Sequence, residues 1–361
     1  MKIVIASGGS GGHLFPALKV AEELRSEADI LFVGPFRVSS DRITGAGFDF
    51  KELGTTGLTD ISKFKWMVAA FKMLKAIMKC LFIIKDFDPD VVCGFGGYGA
   101  FPVVIAAKIL RIPCMIHEQN VDAGKANKLL SGFADKIAIS FKESRKYFPA
   151  VKTVLTGCPC MVSGREYDRD ALLKKYGLKK DVFTILVFGG SQGSHMINEK
   201  FIEAIGPLKE NIKFQVIHLA GNYSYVDLRE RYKSIDVTVA LFEFLEEIEE
   251  AYFLADLIIA RSGALTVHEI FSMKKRSILI PYPYAGEHQV SNAKAITKRR
   301  IVSIIQQKSF NFEQFVQIIL GHENSRKGYP LIGDFDDVVD FSAAEKIAEE
   351  IRDLTKKNEE N

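Results

Sequence analysis

The chemistry is read first from His13. It follows a glycine-dense turn, Gly8-Gly9-Ser10-Gly11-Gly12, and stands where a helical stretch begins. A helix start disfavours the imidazolium, so a neutral ring there can take a proton from a hydroxyl near pH 7. His195 has the matching place after a second turn, Gly189-Gly190-Ser191-Gln192-Gly193-Ser194. Local capping is the alternative role for either histidine.

A second constellation runs from Arg261 to Glu269, RSGALTVHE. Ser262, Gly263 and Thr266 can offer hydroxyls and unpaired N–H groups at a helix start, where a pyrophosphate would be held without a metal. Glu269, three residues beyond Thr266, can accept both hydroxyls of a ribose diol. Neither glycine turn has the G-x-G-x-x-G spacing with an acid some 20 residues on, and no GxxxxGK[ST] occurs. A nicotinamide oxidoreductase, a kinase and an NTPase are therefore disfavoured. What remains is a nucleotide diphosphate held mainly by the second half of the chain, opposite a first half that carries His13.

Strands must deliver these groups. Lys2 to Ala6 is a short β-branched run, and Pro16 opens a stretch with Leu18, Ala21 and Leu24 at helical spacing. The same order returns as the strand FTILVF (Phe183 to Phe188), the second glycine turn and the helical stretch MINEKFIEAI. With 361 residues, the repeat predicts two Rossmann-like α/β domains with parallel sheets facing a central cleft, and the active site in that cleft. The expected boundaries are 1–156 and 157–341, with a charged helix over 342–356 packing back on the first domain. A single large α/β domain with two ordinary glycine turns is the alternative.

Three other strand ends carry polar groups. Val91 to Gly94 leads into Gly94-Phe95-Gly96-Gly97-Tyr98-Gly99, and Pro113 to Ile116 ends in His117-Glu118-Gln119-Asn120. Four hydrogen-bonding residues at the end of a buried strand must be paired or used, as a site or as scaffolding. Ser277 to Pro281 leads to a long polar loop with Glu287, His288, Gln289 and Asn292. Val237 to Leu241 leads through Leu245 to an acidic helix over Glu246 to Phe253. The aspartates Asp86, Asp88 and Asp90 precede their strand and read as a solvated turn. Cys158-Pro159-Cys160 has no second cysteine pair, so no metal is expected.

The stretch Lys63 to Lys85 is both apolar and basic, with Lys65, Lys72, Lys75 and Lys79 in one stripe beside Trp66, Met67, Phe71, Leu74, Met78 and Phe82. It is either a buried helix with a wet lysine edge or an amphipathic surface resting on an anionic membrane. The remaining composition is unspecialised: 47% hydrophobic, 26% charged and a formal charge of +3, which gives no indication of nucleic-acid binding. Five cysteines make no disulfide framework. No run reaches 18 uncharged apolar residues and no signal peptide precedes the first strand, so a cytoplasmic protein is expected.

Taken together, GGSGGHLFPAL at 8–18, GGY at 96–98, HEQN at 117–120, GGSQGS at 189–194 and RSGALTVHE at 261–269 resemble the MurG family of glycosyltransferases. The resemblance runs from residue 1 to about Ala293. It implies a GT-B fold and metal-independent, inverting transfer of N-acetylglucosamine from UDP-GlcNAc to the muramyl C4 hydroxyl of lipid I, giving lipid II and UDP. No cofactor is implied, and the place of action is the cytoplasmic face of the bacterial plasma membrane. By resemblance, His13, Tyr98 and Asn120 face the transfer site, with the turn Ser10, Gly11 and Gly12. Ser191 lies near the phosphates, Leu245 reads uracil through its backbone, and Ala264 to Thr266 (Leu265 between) supply N–H groups to the pyrophosphate. Glu269 holds the ribose and Gln289 the sugar hydroxyls, with Arg261, Ser262, Gly263 and His288 also among the donor-binding residues.

Met161 departs from the family, standing where an arginine usually faces the phosphates; Arg165 and Arg261 are candidates to compensate. Other readings are a transferase making a different glycolipid, a non-hydrolysing UDP-GlcNAc 2-epimerase, and a non-catalytic scaffold in cell-wall assembly.

Overall fold

Short apolar runs alternate with helices, and the central ones, among them 3–6, 91–94, 183–188 and 257–260, become buried strands. The computed structural model describes all residues except 37–38, 55–62, 191, 285–286, 298–301, 326–340 and 360–361, and the side chains of 63–67 and 357–359 also lie outside the description. Two compact units result, Met1–Cys160 with Asp340–Asn361, and Met161–Val339.

The first unit contains β1 (Lys2–Ala6), α1 (Gly11–Leu24), β2 (Asp29–Gly34), α2 (Ser40–Gly45), β3 (Asp49–Glu52), α3 (Lys63–Phe87), β4 (Val91–Gly94), α4 (Ala100–Ile109), β5 (Cys114–Glu118), α5 (Lys125–Leu130), β6 (Lys136–Ile139) and β7 (Thr153–Leu155). The second contains α6 (Arg169–Lys175), β8 (Phe183–Phe188), α7 (His195–Lys209), β9 (Phe214–Leu219), α8 (Tyr225–Lys233), β10 (Thr238–Phe242), α9 (Ile248–Leu254), β11 (Leu257–Ala260), α10 (Ala264–Ser272), β12 (Arg276–Leu279), α11 (His288–Ile296), β13 (Val302–Ile304) and α12 (Phe312–Asn324). The last helix, α13 (Ala343–Glu359), belongs to the first unit.

Among the described residues the sheets run β3-β2-β1-β4-β5-β6-β7 and β10-β9-β8-β11-β12-β13. Every pairing in both is parallel. Each is a doubly wound, Rossmann-type sheet. Strand order reverses between β1 and β4 in one and between β8 and β11 in the other, and ligands bind beyond the carboxyl ends at such reversals. This topology makes neighbours of segments distant in sequence. The turn 8–12 lies beside 94–99, and the turn 189–194 beside 261–266.

The central strands β4, β8 and β11 are buried on two faces and read as continuous apolar runs rather than alternating ones, whereas the edge strands β3, β7 and β13 are only partly buried. Ile3, Ile5, Leu14, Ala17, Leu24, Phe32 and Met115 share one core with Ile347, Ile351 and Leu354 of α13. Ion pairs fix α13 at the rim, Arg352 to Glu27 at 2.7 Å and Lys136 to Glu350 at 2.6 Å.

Four sequence expectations are corrected. The first helix begins at Gly11, five residues before Pro16. Its first N–H groups have no intrahelical partner, so glycine is tolerated there, and Pro16 in the second turn forfeits only the bond to the Gly12 carbonyl. His117 and Glu118 lie within β5 rather than beyond it, because they pair in register with Ala138 and Ile139. The acidic helix begins at Ile248, not Glu246. The polar loop at 287–292 is instead the start of α11, whose Asn292, Ala293 and Ile296 are buried.

Candidate active site

In the first unit the imidazole of His13 sits in a cradle of backbone. Gly8 N–H donates to the Gly96 carbonyl at 3.0 Å, binding the two turns together. Gly96 and Gly97 have φ of +83° and +76°, a region open to glycine. A Cβ on Gly96 would stand 3.0 Å from His13 Cδ2 and one on Gly8 3.1 Å from Nδ1. The ring therefore depends on the absence of side chains at both places.

His13 Nδ1 lies 2.8 Å from Ser10 Oγ. Ser10 occupies the N-cap of α1 but makes no side-chain cap bond, so its hydroxyl serves the histidine rather than the helix. Among the described residues Nε2 has no hydrogen-bond partner. Burial lowers the His13 pKa below the ordinary 6.5, opposed by the charge of Glu118. The ring is thus neutral at pH 7 with one nitrogen open.

The HEQN group is scaffolding more than open site. Buried Glu118 accepts from Asn120 N and Nδ2 at 2.9 and 3.2 Å, from Gly124 N at 2.8 Å and from Asn127 Nδ2 at 2.9 Å. A carboxylate with four donors holds the 120–124 loop in one shape. Gln119 Nε2 donates to the Phe95 carbonyl at 2.7 Å, bracing the glycine turn that cradles His13. His117 lies within reach of the Gly157 carbonyl (3.3 Å) and Ser140 Oγ (3.1 Å), and burial pushes its pKa down to about 4. Asn120 is half-buried and Tyr98 exposed on the connection after β4.

In the second unit α10 begins at Ala264, and the N–H groups of Ala264, Leu265 and Thr266 open its first turn. Beside it Arg261 Nη2 donates to Ser194 Oγ at 2.8 Å, and Nη1 to the Ile280 carbonyl at 3.0 Å. Arg261 therefore ties the second glycine turn to α10, with its guanidinium 5.3 Å over the Tyr282 ring. Ser262 is fully buried and its hydroxyl donates to the Gln289 carbonyl at 2.8 Å. This corrects the expectation that its hydroxyl is offered to a ligand. Gln289 Oε1 accepts from Tyr282 N at 2.9 Å. His288, the first residue of α11, and Leu245, on the connection from β10 to α9, are partly exposed. Ser191 lies outside the described residues.

Glu269 is only 3% exposed. It accepts from Tyr252 Oη at 2.9 Å and from the backbone N–H of Met161. Burial pushes its pKa up to about 7, those two bonds oppose the shift, and the charge of Glu249 adds to it. Met161 is thus tied to the carboxylate by its main chain, while exposed Arg165 gives a backbone N–H to Glu249 at 3.3 Å. Sequence reading missed Ser10 as partner of His13, and Tyr252 beneath Glu269. Spacing signals the first, since an N-cap serine three residues before a histidine can reach it. Nothing local signals the second, which joins α9 to α10.

Among the described residues no group of three His, Cys, Asp or Glu side chains is placed to hold a metal ion. Residues 3–139 match the glycosyltransferase family 28 N-terminal domain and residues 184–329 its C-terminal domain. The chain is 38% identical over 325 residues to the UDP-N-acetylglucosamine–N-acetylmuramyl-(pentapeptide) pyrophosphoryl-undecaprenol N-acetylglucosamine transferase of Thermodesulfovibrio yellowstonii, covering 87% of each. It is 35% identical over 366 residues to the enzyme of that name from Geobacter sulfurreducens, covering 99% of this chain and 100% of the relative. The crystal structure of Acinetobacter baumannii MurG superposes with a TM-score of 0.75 at 26% identity, over 98% of this chain and 99% of that one. A UDP-GlcNAc 2-epimerase from Neisseria meningitidis shares the fold alone, with a TM-score of 0.67 at 16% identity over 98% of this chain and all of that one. Two Rossmann-type units with these glycine turns, matched from end to end by such relatives, place the chain in the MurG family of glycosyltransferase family 28.

Proposed function

We propose that the protein transfers N-acetylglucosamine from UDP-GlcNAc to the muramyl C4 hydroxyl of lipid I, forming lipid II and UDP in peptidoglycan synthesis. The observation that carries the reading is the His13 ring, neutral and held by Ser10 with Nε2 open. With Nδ1–H donating to Ser10 Oγ, the Nε2 lone pair takes the proton from the acceptor hydroxyl. That oxygen bonds to the anomeric carbon as the carbon–phosphate oxygen bond breaks, and UDP leaves with the electron pair. Attack opposite the leaving group inverts the centre and gives a β-1,4 link. Tyr98 and Asn120 border this acceptor side.

The donor lies on the second unit in this reading. The pyrophosphate meets the N–H groups of Ala264 to Thr266, Glu269 accepts from the ribose, Leu245 addresses uracil, and His288 and Gln289 lie toward the sugar. Fixed N–H dipoles neutralise the leaving diphosphate without a cation. Offered lipid I, diacylglycerol or no acceptor, the protein is expected to release UDP with lipid I alone. Release with diacylglycerol would favour a different glycolipid transferase. Release without acceptor would favour the epimerase reading.

The acceptor's polyprenyl chain calls for a membrane-facing surface, and α3 supplies one. Its inner side packs Ile77, Cys80, Leu81 and Ile84 on the core. Its outer side leaves Phe71 at 70% and Phe82 at 69% exposure, with Leu74 and Met78 between. Lys72 and Lys75 flank that strip, whereas Lys79 donates to the Glu52 carbonyl at 2.7 Å. The side chains of Lys65, Trp66 and Met67 lie outside the described residues. Among the described residues no helix is long and apolar enough to cross a membrane. In this reading α3 attaches peripherally at the cytoplasmic face, with each lysine near the surface worth about 1 kcal/mol on anionic lipid. Changing Lys72 and Lys75 to glutamine and Phe71 and Phe82 to serine is expected to abolish sedimentation with anionic vesicles at low salt. Failure of the wild type to sediment would remove this part of the reading.

A further inference from the structure

Behind the second glycine turn lies a line of buried polar side chains that no step above uses. Tyr232 at the end of α8, His218 on β9 and Asn198 on α7 are all buried. Tyr232 Oη is 2.8 Å from His218 Nδ1, His218 Nε2 is 3.1 Å from Asn198 Oδ1, and Asn198 Nδ2 donates to the Ala220 carbonyl at 2.9 Å. The direction of the line follows from its far end. A carbonyl only accepts, so the Asn198 amide presents its oxygen to His218. Nε2 therefore carries the proton, and bare Nδ1 accepts the tyrosine O–H. Burial pushes the His218 pKa down to about 3, so the ring stays neutral. Phe201 packs edge-on at 5.8 Å between centroids, closing one side.

The line ends against the glycine turn. Gly193 (φ +78°) and Gly221 (φ +75°) cross so closely that a Cβ on Gly193 would strike the Ala220 carbonyl oxygen, and one on Gly221 the Gln192 carbonyl. The oxygen that Asn198 holds is thus the floor on which Gly193 rests. Asn198 stands in the first turn of the helix that follows, its N–H bonded to the Ser194 carbonyl at 2.9 Å. Floor and helix thus meet at one residue, the floor through its side chain and the helix through its main chain. Apolar residues would fill this core without desolvating three polar groups, whereas a fully satisfied line specifies a single geometry.

We propose that Tyr232, His218 and Asn198 form a positioning relay that fixes Gly193 and Ser194 for the donor's diphosphate. The diphosphate part rests on the reading that the donor binds the second unit. None of the three touches the donor; they act through the Ala220 carbonyl.

The test is Tyr232→Phe, which keeps the ring and removes one O–H. Hydrogen exchange of the Gly193 and Ser194 amides in the unliganded protein is expected to quicken about tenfold. The UDP dissociation constant is expected to rise about five- to tenfold, with kcat at saturating donor within about twofold of wild type. His218→Gln, which offers one donor and one acceptor, is expected to stay nearer wild type than His218→Leu in both readouts. A Tyr232→Phe protein with lowered Tm but unchanged exchange in the turn and unchanged UDP affinity would overturn the relay. If wild type binds no UDP, the donor reading falls by itself and exchange alone decides: quickening upholds the relay, and no change refutes it.

Discussion

His13→Ala is expected to lower kcat by about 10²- to 10⁴-fold, the usual contribution of a positioned general base, while UDP-GlcNAc affinity stays within about twofold of wild type. The split is expected because the ring belongs to the first unit, whereas the groups proposed to hold the donor belong to the second. The effect on kcat should be steep because the geometry is costly to reproduce. Ser10 fixes Nδ1, and Gly8 and Gly96 pack against the ring so closely that a Cβ on either would crowd it. His13 is lowered below 6.5 by burial, so the wild-type pH–rate profile should show an acidic limb below that value. The limb should be absent in His13→Gln. A variant that raises only the acceptor KM, with kcat within a few-fold of wild type, would reduce His13 to a brace for the turn.

The second large effect is at Glu269. Its carboxylate has two acceptor positions taken, by Tyr252 and Met161, which leaves two for a ribose diol. Losing the equivalent of one charge-assisted bond of about 1.5–3 kcal/mol, Glu269→Ala should weaken UDP binding by about 10- to 100-fold. The residue also marks the protein's pH dependence. Its folded pKa of about 7 exceeds the ordinary 4.5, so the unliganded fold holds the proton more tightly than the unfolded chain does. That contribution is fully present below 4.5 and is lost as pH rises through about 7, a change of about 3 kcal/mol. Urea unfolding at pH 5 and pH 8 should show this loss in wild type and not in Glu269→Gln. UDP affinity should move oppositely, tightening from pH 6 to pH 8 as the carboxylate ionises to accept from the diol. An unchanged donor dissociation constant in Glu269→Ala would remove the residue from the donor site.

The strands and glycine turns were legible because their signals are local. FTILVF before GGSQG admits one reading, a buried parallel strand feeding a turn and a helix. The partnerships were less legible because they cross the sheet. Nothing in residues 8–13 announces Gly96, which becomes a neighbour only through the pairing of β1 with β4. The polar residues Glu287, His288, Gln289 and Asn292 read as a loop because they crowd the first turns of α11, whose deeply buried apolar positions are only Ala293 and Ile296. HEQN was ambiguous between site and scaffold because both need polar groups at a strand end. The four donors gathered by Glu118 decide for scaffold there, and that is a tertiary fact. Met161 was conspicuous as a missing charge, whereas its main-chain bond to Glu269 depends on no side chain and leaves no trace in sequence.

The central claim is tested most directly by incubating the protein with UDP-GlcNAc and purified lipid I in EDTA and analysing the lipid product. The expected product is heavier by one N-acetylhexosamine, β-linked to the muramyl C4 oxygen, with one UDP released per product and no formation by His13→Ala on the same timescale. A product with retained α configuration, or a reaction that stops in EDTA and resumes with a divalent cation, would contradict it.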